Sequence, residues 1–272
     1  MPTPSLIEPG QVVHDIALLK LLRGRRLCEG LRTLGVIGAH RLDELPLINK
    51  VFPALQRIFV FEPLPGPLQV LRQLAAQDGR ITVFPFAVAD RDGEADFHVT
   101  SNDGESSSLL AFGSHQDHFP DVQVRSTIRV GTRRIDSLLA EQGLPAPDVV
   151  IIDVQGAELQ VLQSFGPALR DLVRLIYTEV SREAVYTGSG LLSDVEALLS
   201  PRFVNLGFAS INADVPAHGN AVFVAQPDVD AAIAFTLAGR LRHAVRRAQE
   251  RRRTGRQRQA RQTARSSGAA GG

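Results

Sequence analysis

Asp148-Val-Val-Ile-Ile-Asp153 runs directly into Val154-Gln-Gly156-Ala-Glu158. An apolar run of strand length is closed by an acid, a glycine permits a tight turn, and a helix opens with Glu158 in its first turn. A strand that is apolar at every position, not at alternate ones, is buried on both faces of a sheet. The same grammar recurs on either side. Upstream, Leu34-Gly-Val-Ile-Gly-Ala39 is a short apolar strand, Leu42 to Val51 has helical spacing, and Arg57-Ile-Phe-Val-Phe-Glu62 is a buried strand. Pro67 to Ala76 sets Leu68, Leu71 and Leu74 on one helical face, and Ile81-Thr-Val-Phe-Pro-Phe86 is a third strand, with Pro85 near its end where a missing N–H is tolerated. Downstream, Glu158 to Phe165 continues as a helix, Leu172 to Glu179 is another buried strand closed by an acid, and Ser189 to Leu199 is helical. Strands alternating with helices at this spacing predict a parallel sheet covered on both faces.

Two regions break the rhythm. Ala95-Asp-Phe-His-Val-Thr100 and Val122 to Val130 alternate apolar and polar, which predicts antiparallel edge or hairpin strands. Between them, Ser101 to Phe119 reads as a polar, serine-rich loop of a length that is often functional. A lid or acceptor-binding insertion and a merely exposed hairpin both fit it. At the other end, Phe203 to Phe208 and Ala221 to Val224 are strands with only a polar loop between them, so they should pair antiparallel. The fold class is therefore α/β: a Rossmann-like, mostly parallel seven-stranded sheet with a terminal antiparallel hairpin.

The chain has 272 residues, 44% hydrophobic and 22% charged, an ordinary globular composition. Its length fits one large domain or two small ones, and a single core of this size needs neither disulfide nor metal for stability. The single cysteine, Cys28, excludes an internal disulfide and a cysteine-based zinc site. No run of about 18 apolar residues occurs, so no membrane span is expected. The first residues lack a basic stretch followed by an apolar one, so a secretory signal is not expected and the cytoplasm is the default location. The net charge of +1 hides an asymmetry: from Arg240 onward eleven arginines face one acid, Glu250, and the remainder is acidic. Three segments are expected: a helical extension over 1–32 that includes Leu18–Leu22, a catalytic-type domain over 33–226, and a helix running into a basic tail over 227–272. The tail reads as a solvated, fraying end, with an electrostatic anchor for an anionic partner as the sharper alternative. Oligomeric state is not legible.

In open α/β sheets ligands bind beyond the carboxyl ends of the strands, near the switch in strand order. Gly38-Ala39-His40, Glu62, Asp153 and Glu179 all fall there. An acid ending the second strand can accept hydrogen bonds from both hydroxyls of a ribose, and Glu62 follows Gly38 by 24 residues, close to the spacing this use requires. A helix-terminal charge after Pro67 is the plainer reading of Glu62. The turn lacks a GxGxxG run, which disfavours a pyrophosphate and favours an adenosyl ligand without phosphates. Helix capping explains Asp153 or Glu158 singly, but not why Glu179 closes the neighbouring strand too. Carboxylates crowded on one rim suggest a site. His115 and His118 are better read as solvated loop residues than as metal ligands, for want of a third partner. No metal site is expected.

These residues resemble the FkbM family of S-adenosylmethionine-dependent methyltransferases. The matching stretches are Gly38-Ala-His40, Phe61-Glu62-Pro63, Ala87-Val-Ala-Asp90-Arg-Asp-Gly93, Ser106-Ser-Ser-Leu109, Arg134-Ile-Asp136, Ile151 to Glu158, and Thr178-Glu-Val-Ser181 with Tyr186. The resemblance implies a class I methyltransferase fold, S-adenosyl-L-methionine as cofactor, and methyl transfer to a hydroxyl oxygen of a small metabolite or sugar. It implies cofactor contacts from Gly38, Ala39, His40, Glu62, Pro63, Ala87, Ser107 and Asp153, with the carboxylates of Asp153 and Glu179 as the catalytic candidates, for a proton-accepting base or a metal-linked acid. Two positions depart from the pattern: Val36 stands where the family usually has an acid, and Leu42 where it has a second glycine. The family's lysine is replaced by Ile151. Val36 and Leu42 keep a second reading open, in which the fold serves as a binding or scaffold module without catalysis.

Overall fold

The computed structural model describes residues 30–212 and 215–229. The expected helix at Leu18–Leu22 and the arginine-rich tail beyond 229 lie outside the described residues. The chain divides into two units after Asp228, and the fold is that of the first.

Seven strands form the main sheet: β1 (Thr33–Ile37), β2 (Arg57–Phe61), β3 (Ile81–Phe84), β7 (Val149–Ile152), β8 (Leu175–Ser181), β9 (Phe203–Asn212) and β10 (Val215–Ala225). Their order is β3-β2-β1-β7-β8-β10-β9. The pairs β1–β2, β2–β3, β1–β7 and β7–β8 are parallel, whereas β10 runs antiparallel to both β8 and β9. This is the mostly parallel, seven-stranded, Rossmann-like arrangement that the alternation predicts. One detail differs from a simple terminal hairpin: β10, last in sequence among the described strands, inserts between β8 and β9. The strand order reverses between β1 and β7, and that crevice positions the site.

The apolar strands behave as continuous apolar runs must. All five residues of β1 and all seven of β8 are buried. Phe59 and Phe61, two apart on one face of β2, meet Phe84 of β3, with Phe61 and Phe84 stacked at 4.8 Å. Helices Glu158–Ser164 and Leu192–Leu199 add Val161, Leu162, Val195 and Leu199 to the same core. Each such fully buried side chain contributes roughly 1.5–3 kcal/mol.

A second sheet of three strands, β4 (Ala87–Val88), β6 (Val124–Arg133) and β5 (Gly93–Thr100), accounts for the alternating stretches. β5 and β6 are antiparallel, as expected, while β4 joins β6 in parallel. Several boundaries move for physical reasons. Leu42 has φ +56° and cannot start a helix, so the first helix begins at Leu45, beside Pro46. Leu172 is 54% exposed and lies before β8, which starts at Leu175 and runs past Glu179 to Ser181. Residues 209–212 and 215–220, read as a polar loop, are strand. A short helix, His115–His118, interrupts the serine-rich loop. No described helix is long and apolar enough to cross a membrane.

Candidate active site

At the carboxyl ends of β1, β2, β7 and β8 lies a cavity of about 500 Å³. Volumes of this order suit a cofactor or a drug-sized ligand. Its first wall is the turn after β1. The N–H groups of Gly38 and Ala39 both donate to the Phe61 carbonyl, and the Asp153 N–H donates to the Ile37 carbonyl. The ends of three strands are thereby tied together. Gly38 has φ +78°, and a Cβ there would stand 1.7 Å from the Asp153 carbonyl oxygen. Glycine at this position is therefore demanded by the close approach of two strand ends.

Glu62 is buried, yet its carboxylate is held from both sides. The His40 N–H donates to Oε2 at 2.9 Å and the Leu64 N–H to Oε1 at 2.8 Å. Burial raises its pKa above the ordinary carboxylate value, against the two amide donors that pull it down. The helix-terminal reading of Glu62 is too simple, because the carboxylate organises the turn across 22 residues as well.

The second wall carries Asp153, Gln155 and Glu179. The Gln155 side-chain amide nitrogen donates to Asp153 Oδ1 at 2.7 Å and to Glu179 Oε2 at 2.5 Å. Its carbonyl oxygen accepts from the Tyr186 hydroxyl at 2.7 Å. Gln155 reaches these partners from a left-handed backbone, φ +56°. Behind Glu179, His218 Nε2 lies 3.3 Å from Oε1. Glu158 takes no part in this wall. It is buried beneath the turn, where Oε1 accepts the Val154 and Gly156 N–H groups, and burial pushes its pKa up to about 7.

The loop Ser101 to Phe119 supplies the third wall. The His40 side chain meets the Asp103 carbonyl through Nε2 at 3.1 Å, and Arg41 pairs with the Asp103 carboxylate. Backbone bonds from Gly113 and His115 to the Val185 carbonyl, and from Thr187 to Ala111, anchor the far end. Ser107 is buried; its Oγ accepts the Thr100 N–H at 3.0 Å. His115 differs from its reading as a solvated loop residue. It is 2% exposed and stacks on Phe112 at 4.0 Å, between Phe119 and Tyr186. Burial and the neighbouring His218 and His118 push its pKa down to about 4.

Gly38, Ala39, His40, Glu62, Pro63, Ala87, Ser107, Asp153 and Glu179 all line the one cavity. Sequence reasoning set His115 aside as solvated and missed Tyr177, His218 and Asn220; all four line the cavity too. Tyr177, His218 and Asn220 sit on strands whose ends reach the cavity. A His-x-Asn pair just ahead of the apolar run Ala221–Val224 was the available signal. The departing positions are also accounted for: Val36 is buried in register with Val60 and Ile151, and Leu42 is 2% exposed beside the cavity without filling it.

Comparison with known proteins gives two curated relatives. The 2-O-methyltransferase NoeI of Sinorhizobium fredii is 34% identical over 138 residues, which cover 48% of this chain and 56% of that protein. The hexuronic acid methyltransferase AglP of Haloferax volcanii is 26% identical over 158 residues, 58% of each chain. The chain thus spans little more than half the length of the relatives it matches. A crystal structure of methyltransferase FkbM from Methylobacillus flagellatus superposes with a TM-score of 0.48 at 18% identity, over 71% of this chain and 43% of that one. The model of the methyltransferase FkbM domain matches residues 37–209, more than half of the sequence and the whole of the cavity's glycine, acid and loop walls, and the chain accordingly belongs to that family.

Proposed function

We propose that the chain is an S-adenosylmethionine-dependent O-methyltransferase acting on a hydroxyl group of a small metabolite or sugar. The observation that carries this reading is the open cavity beside Glu62, with Asp153 and Glu179 on its opposite wall. Family membership supports it, as do the names of the two relatives, a 2-O-methyltransferase and a hexuronic acid methyltransferase.

Glu62 suits the ribose hydroxyls, because each carboxylate oxygen accepts one amide N–H and keeps a lone pair for a further donor. The Gly38-Ala39-His40 turn, Pro63, Ala87, Ser107 and Asp153 complete the cofactor wall. When bound, the cofactor supplies an electrophilic methyl group on its sulfonium. The protein's own task is to orient the acceptor hydroxyl in line with that methyl and to receive its proton as the new C–O bond forms. Asp153 or Glu179 receives it, held in place by the shared Gln155 amide.

Calorimetric titration with S-adenosylhomocysteine tests the reading. Glu62→Ala should weaken binding by about 1.5–3 kcal/mol, the worth of hydrogen bonds to a charged group. Saturating cofactor that neither binds nor raises the melting temperature would sink it. A second reading, a binding module without catalysis, is favoured by Val36, which leaves the end of β1 without a carboxylate. Cofactor binding that supports no methyl transfer to any acceptor pool would establish that one instead.

A further inference from the structure

Acids dominate the charged lining of the cavity. Six acids line it among the described residues: Asp43, Glu44, Glu62, Glu105, Asp153 and Glu179. No described lysine lines it. The one described arginine there, Arg41, is already paired with Asp103 and is half-exposed. Counting His218 as a cation beside Glu179 still leaves the acids in large excess.

His115 provides an independent sign of what the cavity takes. It is almost wholly buried, lines the cavity, and its Nδ1 has no hydrogen-bond partner. A buried polar atom left unpaired is costly unless a ligand satisfies it. With its pKa near 4, the ring is neutral at physiological pH and offers a neutral hydrogen bond, not a counter-charge. Phe119 stands beside it, and Val122 and Ile211 also line the cavity, apolar surfaces suited to the C–H face of a ring.

We infer that the acceptor is an uncharged polyhydroxyl compound, such as a neutral sugar, and that acceptors with a carboxylate or phosphate near the reacting hydroxyl are rejected. The inference rests on the methyltransferase reading above. Hydroxyl groups donate to Asp153, Glu179 and Glu105 and bond His115 Nδ1 without adding charge. Among the described residues, an anionic acceptor meets carboxylates and no unpaired arginine or lysine, and like charges in a partly desolvated site repel.

The test uses the full chain. S-adenosylhomocysteine binding is measured first by calorimetry; its failure removes the methyltransferase reading itself. The protein is then incubated with methyl-labelled S-adenosylmethionine and a carbohydrate pool from cell extract. The products are hydrolysed to monosaccharides and passed over an anion exchanger at neutral pH. Label at least tenfold enriched in the unretained, neutral fraction is the expected result. Label retained with the uronic acids and sugar phosphates overturns the inference while leaving methyl transfer intact. No label in either fraction, from protein that binds the cofactor, sinks both. His115→Phe, which keeps the aromatic stack but removes Nδ1, should raise KM for the neutral acceptor severalfold and leave the affinity for S-adenosylhomocysteine unchanged. An unchanged KM would overturn the part assigned to His115.

Discussion

Gln155 occupies a backbone conformation that costs a non-glycine residue roughly 1–2 kcal/mol. Its amide stands between Asp153 and Glu179, so the strain is offset by keeping two carboxylates apart with a shared donor. Gln155→Gly relaxes the backbone and deletes the donor. Its melting temperature at pH 7 should fall relative to the parent at low salt and recover part of that loss at high salt, because the two carboxylates lose their shared donor and salt screens what repulsion remains. Parallel thermal melts at the two ionic strengths decide it; a salt-independent difference would show that the amide does not serve the pair. Glu158 makes a complementary case. Its folded pKa, near 7, lies above the unfolded value, so the native state binds more protons than the unfolded chain between about pH 4.5 and 7. Stability from this group is present at low pH and lost as pH rises through 7. Glu158→Gln keeps an acceptor for the Val154 and Gly156 N–H groups and has no charge to bury. Urea denaturation should show it gaining on the parent by on the order of 2 kcal/mol from pH 5 to pH 8.

Among the elements, the segment Arg134-Ile-Asp136 joins the small sheet to the main core. Arg134 donates to both Asp136 carboxylate oxygens, to the Asp90 carbonyl and to the Gln163 carbonyl, while its N–H donates to Asp92. Apart from Asp136, in the same segment, these partners come from the β4–β5 connection and from helix Glu158–Ser164. The ion pair is about 30% exposed, so its worth lies more in the fixed carbonyl contacts than in charge. Arg134→Ala should lower stability by about 2 kcal/mol in chemical denaturation. The guanidinium holds Asp136 below the usual carboxylate range. That contribution is complete above about pH 4 and lost as pH falls through the lowered pKa, so the variant should be less acid-sensitive than the parent. Legibility follows the same logic of environment. Arg57–Phe61 and Val149–Ile152 are evident in the sequence because strands buried on both faces must be apolar throughout. The ends of β9 and β10 are not, because strand residues that line a wet cavity are polar and imitate a loop. Arg134 and Asp136 stand out as a motif, but nothing in their spacing says that they join two sheets.

At the scale of the molecule, the cavity is assembled from residues far apart in sequence: the turn at Gly38, the acid at Glu62, the loop around Ser107, the rim at Asp153 and Glu179, and finally His218 and Asn220. The individual acids are visible in the sequence, each at a strand end. Their convergence is a property of strand order, which places β1 beside β7 and inserts β10 beside β8. That insertion also governs biosynthesis. Until the chain has been made as far as Ala225, β8, buried at all seven of its positions, has no partner on one side. A nascent protein halted at Asn212 presents an apolar strand edge, the kind of template on which chains associate wrongly. Such a truncation should enter the insoluble fraction on expression, whereas the full chain stays soluble. The strand Val215–Ala225 seals the most vulnerable edge of the sheet and delivers His218 and Asn220 with it, so completion of this wall of the site and protection from aggregation are one event.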